Sequence, residues 1–112
     1  MNKLIYVCSA FGGKKENLDN AVEFGKAVIL QGDIPVIPHL FYGGTGLLDD
    51  NNEKERAIGL NMGLELLDYC EELWVFTTED NPIILKGMQG EIDKWTATRG
   101  GAENIKYIFA GR

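Results

Sequence analysis

Leu73-Trp74-Val75-Phe76-Thr77 is apolar throughout and runs into a polar segment at Thr78. A half-exposed strand alternates polar and apolar residues, whereas an unbroken apolar run is a strand covered on both faces, as inside a parallel sheet. On either side of this run the period becomes helical. Upstream, a helix is expected from about Asn52 to Tyr69, with Ala57, Leu60, Leu64 and Leu67 as its buried stripe. Glu53 and Glu55 fall in its first turn, where the helix dipole favours carboxylates. Downstream, after a loop from Thr78 to Ile84, a helix runs from about Lys86 to Thr98 and stops at Arg99-Gly100-Gly101. A further strand follows at Ile105 to Phe109.

The amino-terminal half repeats the alternation. Leu4 to Ser9 is a short apolar run rich in β-branched and aromatic residues, which reads as a buried strand. A glycine-bearing loop from Phe11 precedes a helix from about Glu16 to Gln31, with Leu18, Ala21, Val22, Gly25, Val28 and Ile29 on one face and Gly32 as its stop. Ile34 to Ile37 is a second strand, where Pro35 indicates an edge or an early position. Phe41 to Asn52 reads as a long loop, and loops of that length in small domains often carry function. The order β-α-β-α-β-α-β predicts an α/β fold with a parallel sheet of four to five strands and helices on both faces. Right-handed crossovers make 2-1-3-4 the natural strand order, with a ligand crevice outside the carboxyl ends of the strands at the switch point.

The bulk properties fit one domain over residues 1–112: 45% hydrophobic and 25% charged residues, no internal repeat and no low-complexity tract. A formal net charge of −6 argues against a nucleic-acid polymer as partner, because such binders neutralise phosphates with clustered Lys and Arg. Cys8 and Cys70 form no CxxC pair and read as buried free thiols. The chain enters a strand pattern directly from Met1, and no apolar stretch approaches a membrane span; a cytoplasmic protein without a membrane partner is expected.

Three places at the strand ends carry residues with chemistry. Ser9, Phe11, Gly12, Gly13 and Lys14 offer a hydroxyl, backbone N–H groups and a cation, a cradle for a phosphate or a ribose hydroxyl that matches neither the P-loop nor the GxGxxG pattern. A plain glycine turn before a helix is the competing reading. His39, the single histidine, leaves a strand toward the expected pocket, as a ligand contact, an acid/base or a hydrogen-bonded loop residue. With no cysteine near it, no metal site is expected, and no cofactor. Gly87-Met88-Gln89-Gly90-Glu91 opens the third helix; small residues there let a ligand approach the backbone, and Glu91 can attack or stabilise an anomeric carbon. A glutamate near a helix N-terminus also stabilises the helix by itself.

Taken together, Ile5-Tyr6-Val7-Cys8-Ser9, Ile34-Pro35-Val36-Ile37-Pro38-His39-Leu40, Glu53 to Arg56, Cys70-Glu71-Glu72-Leu73-Trp74-Val75-Phe76 and Gly87-Met88-Gln89-Gly90-Glu91-Ile92 resemble the nucleoside 2-deoxyribosyltransferase-like proteins, in particular a short bacterial and phage branch. The resemblance runs from residue 3 to about residue 109. It implies a flavodoxin-like fold, a nucleoside or nucleotide ligand, Glu91 as the nucleophile at C1′, and Tyr6 as the residue that positions it. It also implies a homodimer or larger homo-oligomer, for which Phe41 to Leu48 is a contact candidate; a solvent-exposed lid is the competing reading. The chain departs from the family pattern at Ala10-Phe11-Gly12-Gly13, where an arginine for a 5′-phosphate is absent, and at Leu85-Lys86-Gly87, where a serine is absent. The family's acid on the second helix falls near Gly63, leaving Asp49 or Asp80 as loop stand-ins.

Two functions follow as expectations. One is an enzyme that cleaves or transfers an N-glycosidic bond through Glu91, with Ser9, His39, Gly87 and Met88 around the ligand. The other is a nucleotide-binding module of the same fold without turnover. A second carboxylate on the base side of the pocket separates them.

Overall fold

A computed structural model describes residues 2–10, 14–49, 51–78, 84–99 and 103–109. Its strands are β1 (Leu4–Cys8), β2 (Ile34–Val36), β3 (Glu72–Thr77) and β4 (Ile105–Phe109), and its helices are α1 (Lys15–Leu30), α2 (Glu53–Leu66) and α3 (Lys86–Arg99). The four strands form one all-parallel sheet in the order β2-β1-β3-β4, the flavodoxin/Rossmann-like arrangement. In the register, Tyr6 lies beside Val36 on one side and Leu73 on the other.

Successive residues of a strand point to opposite faces, and here each face has its own core. Ile5, Val7, Trp74 and Phe76 pack against Phe24 and Val28 of α1, with Phe24 stacked on Phe76 at 4.6 Å. Tyr6, Cys8, Leu73 and Val75 pack on the other face against Leu67, Met88, Ile92 and Trp95. The three-layer sandwich therefore has α1 on one side and α2 with α3 on the other. Leu73 to Phe76 are all buried, as the unbroken apolar run requires.

Local chemistry explains the helix ends. Asn52 caps α2, its side chain accepting from the N–H groups of Lys54 (3.0 Å) and Glu55 (3.1 Å). At the end of α1, Gly32 takes φ +85, a conformation that disfavours side chains, and lets Gly32 and Asp33 return hydrogen bonds to Ile29 and Val28.

Three expectations are corrected. The buried stripe of α1 is Asn17, Asn20, Ala21, Phe24, Gly25 and Val28, while Val22 and Ile29 are exposed. The helix is rolled so that two asparagines near its start lie beneath the strand ends. The expected stripe of α2 holds only at Leu67, in a 3₁₀ turn that extends the helix to Tyr69, and partly at Leu64; Ala57 and Leu60 are exposed. The reason is that Gly63 is the buried residue of α2 and this side of the helix walls a cavity. The segment from Phe41, read as loop, begins inside a π-helical turn, His39–Gly44. Among the described residues no helix is long and apolar enough to cross a membrane.

Candidate functional site

The carboxyl ends of β1 and β2 and the start of α3 surround a cavity of about 270 Å³, which α2 closes from the side. β1 continues into Ser9 and Ala10; β2 leads to Pro38 and His39; α3 contributes Lys86, Gly87, Met88 and Glu91; α2 contributes Glu55, Arg56, Gly59 and Gly63. Tyr42 and Leu48 complete an apolar wall. The cavity lies outside the carboxyl ends of the strands, where open α/β sheets bind ligands, although no described residue of the β3 end lines it.

At the bottom lies a carboxylate–phenol pair. Glu91 is 9% exposed, and its Oε2 accepts a hydrogen bond from Tyr6 Oη at 2.5 Å. Tyr6 is fully buried in the middle of the sheet, so its hydroxyl is held by the most rigid part of the molecule. Burial pushes the Glu91 carboxyl up to about 7, with the hydroxyl of Tyr6 and the thiol of Cys8 pulling it partly back. The Tyr6 hydroxyl is driven far above its ordinary value, by burial first and by the neighbouring Glu91 carboxylate second, so it remains a donor. The Cys8 thiol, which donates weakly to the carbonyl of Met88 (3.7 Å), is likewise raised by burial and by Glu91. It is inert packing beside Glu91, since the thiolate is the reactive form.

Next to this pair α2 has no side chain. A Cβ built on Gly63 would stand 3.1 Å from Tyr6 Oη and 3.6 Å from Pro38 Cβ. Gly59, one turn earlier, continues the bare surface, and a Cβ there would meet Leu48 Cδ1 at 3.3 Å. Gly63, near which the resemblance places an acid, faces the Tyr6 hydroxyl and carries no side chain. Asp49 does not replace the acid: its Oδ1 accepts from the Asn51 N–H at 2.9 Å and it lies off the cavity wall. Asp80 is outside the described residues.

Of the residues singled out from sequence, Ser9, His39, Gly87, Met88 and Glu91 line the cavity, with Tyr6 beneath them. The Ser9 hydroxyl is buried and has no hydrogen-bond partner among the described residues. His39 Nε2 lies 2.6 Å from the Ser9 carbonyl, so the imidazole donates there and ties the β2 exit to the β1 exit. Lys14 is exposed at the start of α1 and does not line the cavity. Phe11, Gly12 and Gly13 lie outside the described residues. No group of three or more metal-ligating side chains occurs among the described residues.

The sequence placed Glu55 in the first turn of its helix and Glu53 to Arg56 within the family resemblance, but gave Glu55, Arg56 and Gly59 no part in the site. A further signal was the four-residue spacing of Glu55, Gly59 and Gly63, which places them on one helix face. Glu55 is half-buried and lines the cavity, and its Oε1 accepts from the Asp49 N–H at 2.8 Å, which ties α2 to the loop before it.

No curated protein matches the chain. A family profile described as a domain of unknown function, DUF7768, matches residues 3–105, a span that includes every residue of the cavity wall, and the chain belongs to that family.

Proposed function

We propose that this cavity binds a nucleoside or nucleotide and that Glu91 cleaves or transfers its N-glycosidic bond. The observation that carries the reading is the buried Glu91 at the floor of a strand-end cavity, held through Oε2 by Tyr6 Oη at 2.5 Å. Breaking a bond from C1′ to a base nitrogen builds positive charge on the sugar, and a preplaced carboxylate in a dry site stabilises it more than water does. Tyr6 donates to one carboxylate oxygen and fixes its direction, leaving the other to approach C1′. In the first step Glu91 forms a bond to C1′, the C1′–N bond breaks, and its electron pair leaves with the base. The base nitrogen takes a proton from Glu55 or from water. In the second step a water or another base attacks C1′ and gives up its proton to solvent, while the ester bond to Glu91 breaks and the carboxylate is restored.

A nucleophile that titrates near 7 is about half ionised at neutral pH, so the rate is expected to rise with pH through that region. The bare surface at Gly63 favours a second reading, a binding module that has kept the fold without the acid. One experiment separates them. The protein is mixed with deoxynucleosides and their 5′-monophosphates, and base release and exchange are followed by chromatography beside Glu91→Ala. Release that disappears in the variant supports the enzyme; thermal stabilisation by the same ligands without release sinks the enzyme reading and leaves the binding module.

A further inference from the structure

The cations of the described residues divide unevenly. Lys3, Lys15, Lys26, Lys94 and Lys106 each have a carboxylate partner within 4 Å. Lys14, Lys54, Arg56 and Lys86 have none among the described residues. Two of these four, Arg56 on α2 and Lys86 at the start of α3, line the one cavity that holds Glu91, and they stand on different walls of it. In a chain of net charge −6, two cations that form no ion pair among the described residues stand on one cavity, which also carries the carboxylates of Glu55 and Glu91. Ser9, whose buried hydroxyl has no partner among the described residues, lines the same cavity.

We propose that Arg56 and Lys86 form an anion subsite at the mouth of the cavity, which takes the phosphate of a phosphomonoester whose other end reaches Glu91. The inference rests on the proposed reading above and narrows it from a nucleoside or nucleotide to a nucleotide. Arginine offers a planar fork that matches a phosphate oxygen pair, and lysine adds a point charge. Both side chains are exposed, so the phosphate is held at the solvent edge while the apolar wall of Pro38, Leu48 and Met88 receives the body of the ligand. The subsite lies between α2 and α3 and does not use Lys14 or the residues after Ala10.

Binding is measured by calorimetry on the full chain carrying Glu91→Gln, so that no ligand is consumed. The probes are a deoxynucleoside, its 5′-monophosphate, 2-deoxyribose 5-phosphate and inorganic phosphate, each at low and high salt. The monophosphate is expected to bind at least about tenfold tighter than the nucleoside, the contribution of one charge-assisted contact. The advantage is expected to shrink as salt screens the exposed charges, to be lost in Arg56→Gln and reduced in Lys86→Gln, and to persist in Lys54→Gln, an exposed lysine of the same helix off the cavity. Equal binding of nucleoside and monophosphate, or an advantage that survives both substitutions, overturns the subsite while leaving the nucleoside reading intact. If neither nucleoside nor monophosphate binds, that reading falls and the sugar phosphate decides alone: Arg56-dependent binding upholds the subsite, and its absence overturns it.

Discussion

Replacing Glu91 by glutamine should change how stability depends on pH, and the size follows from the site. The folded protein holds this carboxyl at about 7 against an ordinary 4.5, because burial disfavours the charge. A raised folded-state value means that the folded form binds the proton more tightly than the unfolded chain does. The contribution is therefore fully present below 4.5 and is lost as pH rises through about 7. At about 1.4 kcal/mol per tenfold in proton activity, the span between the two values amounts to about 3 kcal/mol. That is a large part of the 5–15 kcal/mol typical of a small domain, and on the order of 10 °C in melting temperature. Glutamine has the same shape, accepts from Tyr6 Oη and does not titrate. The assay is urea unfolding of both proteins between pH 4.5 and 8.5. The stability of Glu91→Gln relative to the parent is expected to rise by about 3 kcal/mol across that range. All other groups are common to both proteins and cancel. Two parallel pH curves, separated by a constant amount, would refute the claim that Glu91 is buried in its folded environment as described.

Three further outcomes are expected. Tyr6→Phe removes a donor that holds the Glu91 carboxyl down, so its titration should move above about 7 in carbon-13 NMR of labelled glutamate, with a stability cost of about 1–3 kcal/mol for the carboxylate left without its partner. Gly63→Asp sets a second carboxylate against Tyr6 and Glu91; like-charge repulsion should raise the Glu91 titration in the same spectrum and lower the melting temperature more at pH 8 than at pH 5. Asn52→Ala leaves the Lys54 and Glu55 N–H groups without their cap and should cost about 1 kcal/mol in urea unfolding, without moving the Glu91 titration.

The strands were legible because each is a short, mainly apolar run bounded by polar segments, and Ile105–Phe109 begins and ends where the pattern says. The 2-1-3-4 order followed from alternation and crossover handedness alone. The faces of α1 and α2 were not legible. In α1 the stripe took in Asn17 and Asn20, polar residues that a hydrophobicity pattern counts as outward. In α2 the inward side is bare at Gly59 and Gly63, so the apolar residues that a periodicity argument turns toward a core, Ala57 and Leu60, stand exposed. A cavity removes the apolar contacts that periodicity assumes.

The sequence by itself determined the α/β class, the parallel sheet and the region of the crevice, because those depend on local period and on chain-connection rules. It marked Glu91, Tyr6, Ser9 and His39 as candidates only through their positions and their resemblance to a family. Tertiary structure alone decided that Tyr6 and Glu91, 85 residues apart, share one hydrogen bond in a buried floor. It also decided that Glu55, Arg56 and Lys86 border the same cavity, and that Lys14 does not. The physical reason is that the charge state of a carboxyl and the access of a ligand depend on what surrounds a group in space, and these neighbours come from β1, α2 and α3, segments that no local pattern connects.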